Sequence, residues 1–131
     1  MTSTGRIARI ALPVYWLALF TATHWPRVPI PGEIPNSDKL LHFTAFALLA
    51  VLFWVFVRAR GRLGPRTVWI AAAVLLPYAG LDEWLQQFTG RYTDAMDFLA
   101  NATGVAVALA VLELLRRFSG AGSTNPSSSD R

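Results

Sequence analysis

The chain has 131 residues, 53% of them hydrophobic and 15% charged, with a mean hydropathy of +0.39 and a net charge of +4. A water-soluble domain normally carries about 25% charged residues, so too few are present to coat a solvated surface, and a nucleic-acid-binding domain is excluded despite a pI of about 10.3. The absence of cysteine excludes disulfides and thiolate metal sites.

The first apolar run, Ile10 to Thr23, gives a helix just long enough to span a bilayer if it starts at Ile7, since about 17–25 residues are needed. A cleaved signal peptide is the alternative. Against it, no A-x-A site follows, and Trp16 and Trp25 suit a resident helix with Trp25 at the membrane interface. Residues 24–37 hold Pro26, Pro29, Pro31 and Pro35, so they read as an extended loop, with His24 and Arg27 in water or among headgroups. Ser37 is a natural N-cap and Asp38 suits the first turn of a second helix, whose apolar body runs from Leu40 to Val57. Residues 58–66 form a basic loop with four arginines. A third helix is expected from Thr67 to Phe88, kinked at Pro77, followed by a tight turn from Thr89 to Tyr92. Thr93 or Asp94 caps a fourth helix reaching Phe118, in which Ala102, Ala106 and Ala110 would allow close packing. Residues 1–118 thus read as one domain, an all-α bundle of four transmembrane helices. Residues 119–131 are rich in Ser and Gly and read as a disordered cytoplasmic tail.

Arg6 and Arg9, the arginines of the 58–66 loop, and Arg116 and Arg117 all fall on one side of a four-span topology. Short basic segments stay in the cytoplasm, so both termini are expected there, in a multi-pass protein of the bacterial cytoplasmic membrane. The opposite face then receives two polar clusters. One is Asp38, Lys39 and His42. The other lies in the stretch from Gly80 to Gly104, which holds four of the chain's eight acids.

Helical spacing groups these residues. Asp38 and His42 are i, i+4; Asp94, Asp97 and Asn101 are i, i+3, i+7, with Gly104 continuing the stripe; Glu83 shares a face with Gly80, Gln86 and Gln87. Asp82 reads as an outward, wet neighbour of Glu83. At 1.5 Å per residue, His42 lies about 6 Å and Asn101 about 10 Å from their helix starts. Such short polar side chains at that depth must face other helices or a wet cavity. His42, Glu83 and Asp97 are the candidate catalytic groups, His42 as general acid or base. Asp38, Lys39, Gln87, Arg91, Asp94 and Asn101 are the candidate substrate-binding groups. Two helix N-termini together with Lys39 and Arg91 favour an anion such as phosphate. A metal at His42 and the carboxylates lacks diagnostic spacing, and no metal or cofactor is expected. Interhelical hydrogen bonding is the alternative role for each residue taken singly.

Asp38-Lys39-x-x-His42-Phe43, Glu83-x-x-x-Gln87-x-x-x-Arg91 and Asp94-x-x-Asp97-x-x-x-Asn101-x-x-Gly104 together resemble the VanZ-like family. The resemblance extends over the four-helix layout, while the first helix and its proline loop carry no motif. It implies a small bacterial cell-envelope membrane protein and, through the family's namesake, a link to resistance to the glycopeptide teicoplanin. It implies no settled reaction. The expected function is to bind, and to process, an anionic lipid or lipid-linked wall precursor at the outer face, with membrane lipids as the constant partner. The competing expectation is a non-catalytic bundle whose polar cluster sets packing or partner choice. A transporter is disfavoured because the inner helix halves lack a polar path, Glu113 pairing with Arg117 at i+4.

Overall fold

The structure is a computed structural model and describes residues 3–26, 36–61 and 64–121, without the side chains of residues 3, 4, 120 and 121. Among them lie four α-helices: α1 (Ser3–His24), α2 (Ser37–Arg58), α3 (Arg66–Gln86) and α4 (Ala95–Ala121). All four are long and apolar enough to cross a membrane. The expected four-helix bundle is therefore observed. Arg27 and the proline-rich centre of the 24–37 loop lie outside the described residues, as does the tail from residue 122.

Helix ends follow local chemistry. Asn36, not Ser37, holds the N-cap position of α2; its φ of 64° is left-handed and its side chain makes no capping bond. Asparagine tolerates that conformation better than most residues. The third helix continues through Pro77 and then tightens into a 3₁₀ turn over Gln87–Thr89. Gly90, with φ 76°, ends it, and the Arg91 N–H reaches back to the Gln86 carbonyl at 3.4 Å. Asp94 caps α4 as expected, its Oδ1 accepting the Met96 N–H at 2.8 Å. The fourth helix runs past the expected end at Phe118 to Ala121.

Every helix buries one stripe. On α2 it is His42, Phe46, Leu49, Ala50, Trp54 and Val57. On α3 it is Thr67, Ala71, Leu75 and Ala79, then Asp82, Glu83 and Gln86. On α4 it is Asp97, Asn101, Gly104, Val105, Ala108 and Leu109, and on α1 Ala8, Leu12, Leu19 and Thr23. These spacings of three and four residues give each helix one inward face. Outward faces are apolar too: Ile10, Leu17, Leu41, Trp69, Val107 and Leu115 are all exposed, as lipid contact requires. Each stripe turns from apolar to polar at the same end of the bundle, because α1 and α3 finish where α2 and α4 begin.

The main seam is between α2 and α4. Its closest approach is at Gly104, where a Cβ would strike the Phe43 carbonyl and come within 3.2 Å of the Ala47 nitrogen. Of the small residues expected to pack, Ala102 is half-buried and Ala106 and Ala110 are exposed. Ala106 and Ala110 stand about 130° to 170° around the helix from the stripe set by Asn101, Val105 and Ala108. Helix α1 is held by aromatic side chains: Tyr15 OH donates to the Ala45 carbonyl at 2.9 Å, and Trp16 meets Tyr78 edge-on at 4.8 Å.

Candidate functional site

At the polar end, α2 and α4 exchange charges. Lys39 Nζ stands 3.1 Å from Asp94 Oδ2, 3.3 Å from Asp97 Oδ1 and 3.6 Å from Asp38 Oδ2. One turn deeper, His42 Nδ1 lies 3.0 Å from Asn101 Oδ1, and Nε2 lies 3.8 Å from Asp97 Oδ2. The Nδ1 contact with Asn101 holds the ring between α2 and α4. His42 and Asp97 thus meet, as the helical spacing predicts.

Glu83 reaches this group from α3. Its Oε1 accepts the Asp94 N–H at 2.7 Å, tying the end of α3 to the start of α4. Its Oε2 faces Gln86 Nε2 at 3.4 Å, and the same amide donates to Asp82 Oδ2 at 3.3 Å. Asp82 is 0% exposed, which corrects the expectation of a wet, outward residue. Its Oδ1 also accepts from Thr23 Oγ1 at 3.1 Å and Tyr78 OH at 3.2 Å. His24 stands 3.8 Å from the same oxygen with only 9% of its side chain exposed, so it belongs to the bundle and not to the headgroups. The polar side chains therefore form one network touching all four helices.

Gln87, expected to bind substrate, is exposed and folds its amide onto the Trp84 carbonyl at 2.8 Å, while Gln86 takes the inward place. The expectation that helix N-termini and Lys39 favour an anion is also revised. The protein's own Asp38 and Asp94 occupy the first turn and cap, and Lys39 is shared among three carboxylates. Asp94 lies outside the spanning segments. The Met96 N–H first, and the Lys39 ammonium second, hold its carboxyl below the usual carboxylate range.

A cleft of about 360 Å³ opens between α1 and α2 beside this network. Asp38, His42, Thr23 and Arg91 supply its polar lining, and Leu19 and Leu41 its apolar walls. Arg91 also donates to the Trp25 carbonyl at 3.3 Å, which fixes the loop before α4 against the end of α1. Three enclosed atoms of the network have no hydrogen-bond partner: His24 Nε2, Gln86 Oε1 and Asn101 Nδ2. Among the described residues no group of three His, Asp or Glu side chains converges as a metal ion requires. Thr23, His24, Tyr78 and Asp82 are site neighbours that sequence spacing did not single out.

The opposite end is basic. Arg58 lies over the Trp54 ring at 4.9 Å and Arg60 over Phe56 at 4.2 Å. Glu113 accepts from Arg116 at 2.7 Å as well as from the expected Arg117 at 2.8 Å.

A family model described as VanZ/LLP1 matches residues 2–116. An uncharacterized protein of the fission yeast Schizosaccharomyces pombe is 37% identical over 79 residues, covering 58% of this chain. The match spans 46% of that relative's length, so the chain is similar to about half of it. No solved structure matches.

Proposed function

The chain belongs to the VanZ/LLP1 family, a multi-pass membrane protein of VanZ type, and we propose that it binds a phosphate-bearing membrane lipid in the cleft between α1 and α2. The observation that carries this reading is the presence of Arg91 in the lining of a cleft with apolar walls. A guanidinium gives phosphate a planar pair of donors, and the walls accept the adjoining glycerol and first chain carbons. We place the cleft on the extracytoplasmic side of the membrane, because Arg9 and Arg60 line one surface toward the far end and short basic segments stay in the cytoplasm.

Binding is favoured over turnover. His42 Nδ1 is engaged by Asn101 at 3.0 Å, and Nε2 stands 3.8 Å from Asp97. Glu83 and Asp97 are almost fully enclosed and serve the helix contacts already described. A relative in a fungus favours a headgroup found in many membranes over one confined to bacterial walls. A lipid-linked wall precursor, and with it a glycopeptide phenotype, is the narrower form of the same proposal.

Native mass spectrometry of the detergent-solubilised protein tests it. Wild type should retain phospholipid through purification, and Arg91→Gln should lose it while keeping its helical signal. Equal retention by both proteins would refute the cleft as the lipid site. That result would favour the second reading, a packing module, whose own support is the complete enclosure of Asp82, Gln86 and Asn101.

A further inference from the structure

We infer that a second groove, toward the arginine-rich end of the bundle, binds one net-anionic phospholipid through Arg9 and Arg60, independently of the cleft at the polar end. Its volume is about 370 Å³, and its lining is Arg9, Leu12, Pro13 and Trp16 of α1 with Phe56 of α2 and Arg60 just beyond it. The four α1 residues fall at i, i+3, i+4 and i+7 and keep one face, as Phe56 and Arg60 do at i, i+4. Arg9 is near the start of α1 and Arg60 follows the end of α2, so both arginines enter at the same end of the groove. Trp16 lies about 10 Å further along at 1.5 Å per residue. Guanidinium donors at one end and an apolar bed beyond them match a phosphodiester and the first carbons of its acyl chains. A free phosphate would use the arginines alone, so the bed favours a lipid as occupant.

The protein supplies these two cations with no anion. Among the described residues neither Arg9 nor Arg60 takes part in an ion pair. Arg60 rests over the Phe56 ring at 4.2 Å, a contact that brings no oxygen acceptor to its N–H groups. The whole sequence explains the lack: no acid occurs in residues 1–32 or 39–81, which include α1, nearly all of α2 and its connection to α3. Glu113 of α4 is already shared by Arg116 and Arg117. Arg9 also falls within the first membrane span, Gly5–His24, where a cation without a counter-charge is costly. Basic pockets between spanning helices are headgroup sites for anionic lipids.

The same lining sets the selectivity. Phosphatidylcholine carries its own cation, which the two arginines repel. Phosphatidylglycerol carries a phosphate and no cation. The aromatic lining does not reverse this order, because Phe56 already faces Arg60.

The test is titration of the detergent-solubilised full chain with short-chain phosphatidylglycerol and phosphatidylcholine of identical tails, read by native mass spectrometry. It is run in wild type and in Arg91→Gln, which takes the other cleft out of the count, so the two lipid readings fail separately. Arg9 and Arg60 are exposed, so this lipid should exchange during purification and is added back. Phosphatidylglycerol should bind about twentyfold more tightly than phosphatidylcholine in both proteins, from about fivefold for each arginine. Arg9→Gln and Arg60→Gln should each weaken phosphatidylglycerol about fivefold and leave phosphatidylcholine within about twofold. Arg6→Gln and Arg66→Gln remove a charge from the same end outside the groove and should keep the preference. Equal binding of the two lipids to wild type overturns the inference, and so does a preference lost in Arg91→Gln. An effect of Arg6→Gln or Arg66→Gln as large as that of Arg9→Gln also overturns it, because the charge would then act as a diffuse field. Selectivity that emerges only when residues 122–131 are removed gives the groove to the tail instead. Should Arg60→Gln fail to fold, the comparison of Arg9→Gln with Arg6→Gln still decides.

Discussion

Replacing Gly104 by alanine adds one methyl group at the tightest point between α2 and α4. That methyl would overlap the Phe43 carbonyl oxygen and stand 3.1 Å from the Phe43 carbonyl carbon and 3.2 Å from the Ala47 nitrogen. All three are backbone atoms of a helix, so no rotamer change relieves them and the helices must separate. Overpacking of this kind costs about 1–3 kcal/mol, against about 1 kcal/mol gained from alanine's better helix propensity. The expected net loss is up to about 2 kcal/mol, or several degrees in a detergent melt. Gly80→Ala is the matched control. A Cβ at Gly80 meets only the Phe98 ring edge at 3.6 Å, an ordinary contact. That variant should be neutral or up to about 1 kcal/mol more stable. Gly104→Ala melting at or above wild type would refute the close approach, and the reverse ranking of the two variants would place the seam at the wrong glycine.

Asp82→Leu removes the acceptor of Thr23, Tyr78 and Gln86. Only the Thr23 bond crosses between helices, worth about 0.6 kcal/mol; leaving the Tyr78 and Gln86 donors without their acceptor adds to it, so Asp82→Leu should cost on the order of 1–3 kcal/mol, with Asp82→Asn milder, both read by detergent melting; Asp82→Leu matching wild type would return Asp82 to the surface. The carboxyl of Asp94 is held below its unfolded value by the Met96 N–H and Lys39, so its contribution is full above the unfolded pKa and lost as pH falls through the folded one. Melting curves below about pH 4 should therefore show an acid loss that Asp94→Asn flattens. Cysteines placed at Tyr92 and Ser119, both exposed at opposite ends, should differ with an impermeant thiol reagent on intact cells. Tyr92→Cys should be labelled and Ser119→Cys should not; the opposite pattern would reverse the orientation.

Much of the architecture was legible because membrane spans announce themselves by length. The polar stripe on α4 was legible as well: Asp97 and Asn101 keep one face with Gly104, and His42 of α2 meets them at the expected depth. Gln86 and Gln87 both lie near Glu83 by spacing, and only Gln86 turned inward. Thr67, Ala71, Leu75, Ala79, Glu83 and Gln87 follow one another at i+4. Each such step drifts about 40° around the helix, so by Gln87 the row has left the inward stripe, whose centre is held by Leu75, Asp82 and Gln86. Asp82 was misplaced because it is adjacent to Glu83, and periodicity alone does not show that an inward face is wide enough for both. His24 was assigned to the proline loop, yet α1 includes it, and Phe20 holds its ring by stacking at 4.0 Å and by a carbonyl 2.8 Å from Nδ1.

Stability and ligand binding are joined in this bundle. In lipid, apolar side chains gain little by meeting one another instead of acyl chains, so helix association depends on close packing and interhelical hydrogen bonds. Gly104 supplies the first between α2 and α4. The network from Thr23 through Asp82, Gln86, Glu83 and Asp94 to Lys39 supplies the second, and it reaches all four helices. Its inner members are enclosed, while Asp38 and Arg91 face the cleft. Substitutions at Asp82, Glu83 or Asn101 therefore change ligand retention by loosening the walls as well as by any direct effect. Asp38 and Arg91 line the cleft and also hold contacts of the protein's own, Lys39 at Asp38 and the Trp25 carbonyl at Arg91. A loss of binding at those two positions with an unchanged melt identifies recognition, whereas a joint loss of binding and melting at the enclosed positions identifies the frame that holds it.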